Sequence, residues 1–244
     1  MLTLKNIYES VLDLPEISDK DIIKRIRDEI KQFLSDNYFK VKYKISNKPN
    51  HNGKFVVDYD GPVGVRNLCI KNLTNGLFEF GTIVGYFDCS KCLELVSLEG
   101  APKKVLGDFT CKQCWVLTSL EGAPEEVGGD FNCDWCAGLK TLKGAPKKVG
   151  REFFCSYCKS LTSLEGAPKK LNGSFQVRHS PLLKSLRGAP EKVFSFICNG
   201  CSSLKSLKDA PKEVNGTFSC FDCAERFTDH DVRSVSDVKG AIIN

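Results

Sequence analysis

Apolar positions recur at a fixed spacing along most of this chain. The pattern F-x-C-x-x-C-x-x-L-x-S-L-x-G-A-P-x-x-V-x-G-x repeats between residues 87 and 223, with a period of 22 residues that shortens by one in the fifth copy. Such a period is typical of a solenoid, in which each coil buries its apolar side chains against its neighbours. We therefore predict one short strand per coil, starting near each Phe. The seven copies, numbered here as coils 1 to 7, open at Phe87, Phe109, Phe131, Phe153, Phe175, Phe196 and Phe218.

Residues 1–60 lack the repeat and carry two other patterns. Isoleucines at four-residue spacing from Ile22 to Ile30 predict the apolar face of a helix. Apolar residues and lysines alternate strictly over residues 39–45, and a second alternation runs over residues 55–59. With turn-forming residues between them, the two alternating segments predict a β-hairpin. A polar cap of this kind keeps the end of a solenoid soluble.

The flanks of the repeat set the expected domain limits. Ile83 lies one period before Val105, so the segment before coil 1 has the pattern of a degenerate first coil. Beyond Cys223 the repeat is lost, and Thr228 followed by Asp231 predicts a short capped helix. We expect a helix-plus-hairpin cap or small domain over residues 1–60, the solenoid over residues 61–227 and a C-terminal cap over residues 228–244.

Each coil resembles the signature of the leucine-rich-repeat superfamily, L-x-L-x-x-[N/C]-x-x-L. In coil 3 the matching run is Phe131-Asn-Cys133-Asp-Trp-Cys136-Ala-Gly-Leu139, with Phe and Cys replacing the strand leucines. The short form containing L-T-S-L-E-G-A-P is similar to repeat proteins of phage and large-virus genomes. The resemblance implies an α+β fold, a leucine-rich-repeat-like solenoid of about seven coils between an N-terminal helix/hairpin cap and a short C-terminal helical cap. It also implies a phage-encoded binding scaffold with a host-takeover or anti-defence role.

Composition narrows the functional classes without naming one. The chain has 244 residues, 13 Cys and a formal charge of +5, which is too mild to require a nucleic-acid partner. No apolar run approaches the roughly 18 residues of a membrane helix. Glu9 and Asp13 interrupt any apolar region of a signal peptide, so we expect a cytoplasmic protein, in the host cell if phage-encoded, with reduced thiols.

Six C-x-x-C pairs support two interpretations. Most neighbouring pairs are separated by 18 residues, which fits the spacing of zinc sites. Coil 5, however, has Val177 and Ser180 in place of its two cysteines and keeps the rest of the pattern. A coil that keeps its framework without either ligand favours small buried thiols over a metal, so we expect no metal and no cofactor. We also expect the second Cys of each coil to form a ladder beside the backbone.

Fixed columns of the repeat build the coil, so its variable columns are expected to face outward. In the strand segment the variable positions flank the first Cys, and in coils 3 to 5 they carry aromatic side chains and an Arg, which is the composition of binding hot spots. The expected binding residues are Asn132, Asp134, Trp135, Phe154, Ser156, Tyr157, Gln176, Arg178 and His179.

The expected function is therefore a non-enzymatic binding scaffold that holds a host protein or a small-molecule ligand. The sequence contains three His, no Gly-rich phosphate loop and no nucleophile elbow. Paired lysines recur at 103–104, 147–148 and 169–170, but Glu125 and Glu126 break this stripe between the first two pairs, so a track for nucleic-acid phosphates is not expected. Two alternatives stay open: a zinc-binding protein that uses the C-x-x-C pairs, and a structural component of a virion.

Overall fold

A computed structural model describes residues 19–36, 42–74 and 78–244. Over these residues the chain forms a β-solenoid of about eight coils with two helices, α1 (Asp19–Asp36) and α2 (Asp229–Val235). The predicted solenoid and the predicted strand at each Phe are confirmed. Every coil except coil 4 also contributes a second short strand at its Val position, which the sequence pattern did not predict.

The strands form three sheets. Sheet A contains β1 (Lys42–Ile45), β2 (Phe55–Asp60), β4 (Phe78–Ile83), β6 (Lys104–Val105), β8 (Glu126–Val127) and β10 (Lys148–Val149). Sheet B contains β3 (Val63–Gly64), β5 (Phe87–Asp88), β7 (Phe109–Thr110), β9 (Phe131–Asn132), β11 (Phe153–Phe154), β12 (Phe175–Gln176), β14 (Phe196–Ile197), β16 (Phe218–Ser219) and β18 (Ile242–Ile243). Sheet C contains β13 (Lys192–Val193), β15 (Glu213–Val214) and β17 (Asp237–Val238).

The core follows from the fixed columns of the repeat. The seven repeat Phe side chains are fully buried and lie one above another, with ring centroids 5.0 to 5.9 Å apart in successive coils. The paired Leu of each coil, its Val and its Cys residues fill the space beside this column. Because strands of consecutive coils pair in parallel and in register, each apolar side chain meets its own counterpart, which explains the strictness of the pattern.

The N-terminal elements join the solenoid directly. Strands β1 and β2 form the predicted antiparallel hairpin, and β2 also pairs in parallel with β4. The side chain of Asn50 accepts hydrogen bonds from the backbone N–H groups of Asn52 and Lys54 and so fixes the hairpin turn. The predicted strand start at residues 39–41 lies outside the described residues. The hairpin therefore supplies the first strands of sheet A.

The C-terminal segment adds to both sides of the solenoid. The predicted capping box is confirmed, because Thr228 accepts from the Asp231 N–H while the Asp231 carboxylate accepts from the Thr228 N–H. After α2, Val238 pairs with Val214 and Ile242 pairs with Phe218. The sequence pattern missed these strands because Ile242 replaces the usual Phe and no cysteine pair follows it.

Candidate binding surface

Three aromatic side chains stack in a row just after the strands of sheet B. The rings of Trp135 and Tyr157 lie 4.0 Å apart at 6°, and those of Tyr157 and His179 lie 4.9 Å apart at 26°. Each comes from one of coils 3, 4 and 5, at the same position of the repeat. These three predicted binding residues are thus brought together, and we call them the aromatic ladder.

The backbone of the aromatic ladder is in the left-handed region. The φ angles are 63° at Trp135, 59° at Tyr157 and 49° at His179. This conformation costs an L-residue roughly 1–2 kcal/mol, whereas Gly adopts it freely, as Gly200 does at the same position in coil 6. Stacking of the rings offsets part of this cost, because each stacked pair stabilises the fold by about 0.5–1.5 kcal/mol. Backbone bonds hold the geometry, since the N–H of each ladder residue donates to a carbonyl of the next coil.

The aromatic ladder has a defined end. A Cβ atom added at Gly200 would overlap the Nδ1 of His179, so the imidazole lies over this glycine. On the other side, the position before Trp135 is occupied by the half-buried Gln113. The aromatic surface is therefore confined to three coils by the side chains chosen at one column of the repeat.

A row of polar side chains lies one residue earlier in each coil. The carboxylate of Asp134 accepts a hydrogen bond from the Ser156 N–H at 2.6 Å, and the Ser156 hydroxyl accepts from the Arg178 N–H at 3.1 Å. Burial raises the pKa of Asp134, opposed by the Ser156 N–H and by the charges of Lys112 and Arg178. Two buried polar atoms of this row have no partner within the described residues: Nε of Arg178 and Oδ1 of Asn199.

The remaining predicted positions are less accessible than expected. Ser156 is buried, and its hydroxyl accepts a hydrogen bond from the Arg178 N–H of the next coil. Its predicted outward position is therefore wrong. Asn132, Phe154 and Gln176 are half-buried. The Gln176 amide donates to the Glu152 carboxylate at 3.0 Å. Among the nine predicted residues, Trp135 and His179 are the exposed ones.

An apolar corner beside the ladder was missed by the sequence analysis. Trp115 is 54% exposed, and Leu93, at the same position of coil 1, is 49% exposed. Trp115 follows Gln113 by two residues, and Gln113 holds the ladder position one coil before Trp135. Comparing the column after the second Cys would have revealed these side chains. We define the apolar corner as Leu93, Val96, Trp115 and Val116, all of them exposed.

The paired cysteines point into the core and are free thiols. The second Cys of a coil donates to a backbone carbonyl of the previous coil, as Cys136 does to Cys111 at 3.2 Å, which confirms the predicted ladder. Cys201 makes the same bond to the Val177 carbonyl at 3.1 Å, whereas Ser180, which replaces the second Cys of coil 5, donates to the Arg178 carbonyl of its own coil. The ladder is therefore interrupted at coil 5 and resumes at coil 6. Burial raises the pKa of Cys155 well above its ordinary value, which keeps this thiol protonated as a donor.

Neither a metal centre nor a membrane segment stands out among the residues that the structure describes. No group of three or more His, Cys, Asp or Glu side chains there is arranged to hold a metal ion. No described helix is long and apolar enough to cross a membrane. Comparison with protein-family models, curated proteins and solved structures gives no match to the chain.

Proposed function

We propose that this chain is a non-enzymatic binding protein whose partner docks on the aromatic ladder and the adjoining apolar corner. The observation that carries the proposal is the exposure of large side chains on strained backbone. Trp135 is 45% exposed at a left-handed position where Gly would be less strained. The same left-handed position holds Lys91, Gln113 and Asp222 in other coils, so the backbone does not demand an aromatic residue there. We infer that the aromatic side chains of coils 3 to 5 are there to contact a partner.

The chemistry of the surface matches a protein partner. Tryptophan, tyrosine and arginine dominate interface hot spots, and Trp115, Tyr157 and Arg178 supply all three types here. From coil 1 to coil 5 the surface extends over four strand spacings, or roughly 19 Å, which suits a protein better than a small ligand.

The resemblance to leucine-rich repeats supports the same proposal at the level of the superfamily, which mostly serves as binding scaffolds. It is also the basis for proposing a phage-encoded protein that acts on a host protein in the host cytoplasm. Two alternatives are tested separately. Presence of the chain in purified virus particles would support a virion component, and zinc found by elemental analysis would support a zinc-binding protein.

The test begins with affinity capture from host lysate using wild type and the Trp135→Ala variant. We expect wild type alone to enrich a specific protein. With that protein in hand, Trp135→Ala and Arg178→Ala should each weaken binding by roughly thirtyfold or more, the effect of losing a hot-spot side chain. Both variants should melt close to wild type, since Ala keeps the left-handed strain and the side chains lie outside the core.

Lys205→Ala is the matched control, because Lys205 is exposed in coil 6 and lies away from the proposed surface. It should bind like wild type. If the two surface variants also bind like wild type, or if they unfold, the proposed site is wrong.

A further inference from the structure

Sheets A and C lie on one side of the solenoid, which we call the Val side, and sheet B lies on the other, the Phe side. The Val side is interrupted between coils 3 and 4. Sheet A ends at β10, and the next strand on this side, β13, belongs to sheet C. Within the described residues, no backbone hydrogen bond joins residues 147–150 to residues 169–172. Sheet B runs through the same level without a break, since β9 and β11 pair in register. The two coils are therefore held together on the Phe side and separated on the Val side.

A cavity of about 680 Å³ lies across this opening. Gly128 and Gly150 line it, and a Cβ on either residue would overlap a backbone carbonyl of the preceding coil, so no side chain can fill this region. Leu106 and Asn172, the counterparts of these glycines in coils 1 and 4, lie at its two ends. Five lysines border the cavity, and we call it the lysine cleft: Lys104, Lys147, Lys148, Lys169 and Lys170.

The lysine cleft carries an excess of positive charge. Glu126 is balanced by Lys148 at 2.6 Å and Lys104 at 2.9 Å, and the hydrogen bonds from these two ammonium groups hold its pKa down to about 2. Lys169 and Lys170 have no carboxylate partner among the described residues. The charge therefore accumulates on the coil 4 side of the opening.

A backbone donor faces the same opening. In coil 3 the Gly150 N–H donates to the Val127 carbonyl at 2.9 Å. The counterpart of this donor in coil 4 is the Asn172 N–H, which has no backbone acceptor within the described residues because the sheet is interrupted there. Lysine ammonium groups together with a free backbone N–H are the donors that oxyanions bind.

We propose that the lysine cleft binds a compact anion with several phosphate groups, of the size of a di- or triphosphate. Leu106 and Asn172 lie three coils apart along the cleft, a distance of roughly 14 Å at the usual strand spacing. Four of the five lysines come from the two coils that flank the opening, Lys147 and Lys148 from coil 3 and Lys169 and Lys170 from coil 4. The positive charge is therefore concentrated at one point of the cleft, which suits a compact phosphate anion better than a long polymer.

The proposal is tested by calorimetric titration of the whole chain with inorganic tripolyphosphate. We expect saturable binding that weakens as salt is raised. The double variant Lys169→Ala/Lys170→Ala should lose at least about tenfold in affinity, since it removes both unpaired charges. A parallel titration with a nucleoside triphosphate shows whether the phosphate groups belong to a nucleotide or to a free anion. Tighter binding than tripolyphosphate identifies the ligand as a nucleotide, and equal or weaker binding identifies it as a free polyphosphate.

The matched control is Lys184→Ala/Lys205→Ala, which removes two exposed lysines of coils 5 and 6 outside the cleft. It should bind tripolyphosphate like wild type. The proposal is overturned if the control loses as much affinity as the cleft variant, if wild type does not bind at millimolar tripolyphosphate, or if an oligo-aspartate peptide of equal charge binds as tightly.

Discussion

The Phe side and the Val side of each coil follow the same repeat but differ in the continuity of their sheets. Sheet B is one sheet of nine strands that spans the whole solenoid. The Val side is divided into sheets A and C, and the Lys170–Lys192 pair joins coil 4 to sheet C only. On the Phe side the buried aromatic column is unbroken, while on the Val side Leu171 replaces Val in coil 4, where the sheet is interrupted.

We infer from this difference that the side chain at a repeated position controls how firmly neighbouring coils hold together. Each Phe ring stacks on the next coil's ring and buries a large apolar area, so the Phe column resists separation. The Val column is thinner, and its sheet is interrupted at coil 4, where Leu171 replaces Val. Ile83, which is as large as Leu but branched at Cβ, stands in the same column with its pairing to Val105 intact. The separated side carries the lysine cleft, and the cohesive side carries the aromatic ladder.

The largest expected effect comes from breaking the Phe column. Phe153 is fully buried, stacked between Phe131 at 5.0 Å and Phe175 at 5.1 Å. Phe153→Ala removes both contacts and leaves a cavity, so the free energy of unfolding should fall by about 3–5 kcal/mol. Denaturant unfolding followed by circular dichroism measures this loss.

Phe194→Ala is the matched control on the Val side. Phe194 follows Val193 directly and is 53% exposed. Its removal should change the free energy of unfolding by less than about 0.5 kcal/mol. Equal losses for the two variants would show that stability does not come chiefly from the Phe column.

A smaller effect is expected for the thiols between the two sides. Cys133 is fully buried and donates to the Phe154 carbonyl at 3.2 Å. Cys133→Ser buries a more polar group on a shorter side chain, and we expect a loss of about 1–3 kcal/mol with folding retained. Cys69→Ser, at an exposed cysteine, should be nearly neutral. Release of a bound metal by Cys133→Ser would instead support the zinc alternative.

The sequence was sufficient for the solenoid and insufficient for its surfaces. Period and burial are coupled, because each fixed residue meets its own copy in the next coil, so Phe153 and Cys133 could be placed in the core from the pattern alone. Exposure of a variable residue depends on its neighbours in three dimensions. Ser156 belongs to an outward-facing column and is nevertheless buried by its hydrogen bond, while Trp115 is the one aromatic residue of its column, so the repeat pattern does not mark it.

The break on the Val side was equally beyond a residue-by-residue analysis. Leu171 fits the apolar pattern as well as Val does, and nothing in its hydrophobicity indicates that a sheet ends there. We infer that the effect arises from shape, since Leu is not branched at Cβ, whereas Val and the paired Ile83 are. Leu171 is nonetheless buried, so its bulk is accommodated by the separation of the coils.

The smallest expected effect restores the Val column. Leu171→Val should bring residues 147–150 and 169–172 within hydrogen-bonding distance, which would give the Val149 and Asn172 N–H groups backbone acceptors. Amide hydrogen exchange of these two groups should slow, because exchange follows the opening of their hydrogen bonds. The free energy of unfolding should change by less than about 1.5 kcal/mol, as is usual for exchanging apolar residues of similar volume.

The reciprocal substitution is Val127→Leu, which places the larger residue in a coil whose sheet is intact. It should separate coil 2 from coil 1, and exchange of the Gly128 N–H, which donates to the Val105 carbonyl at 2.8 Å, should accelerate. If exchange at Val149 and Asn172 stays fast in Leu171→Val while Gly128 is unaffected in Val127→Leu, side-chain shape does not control this side of the solenoid. The cause would then lie in the turn at residues 172–174, where Asn-Gly-Ser replaces the Gly-Arg-Glu of coil 3.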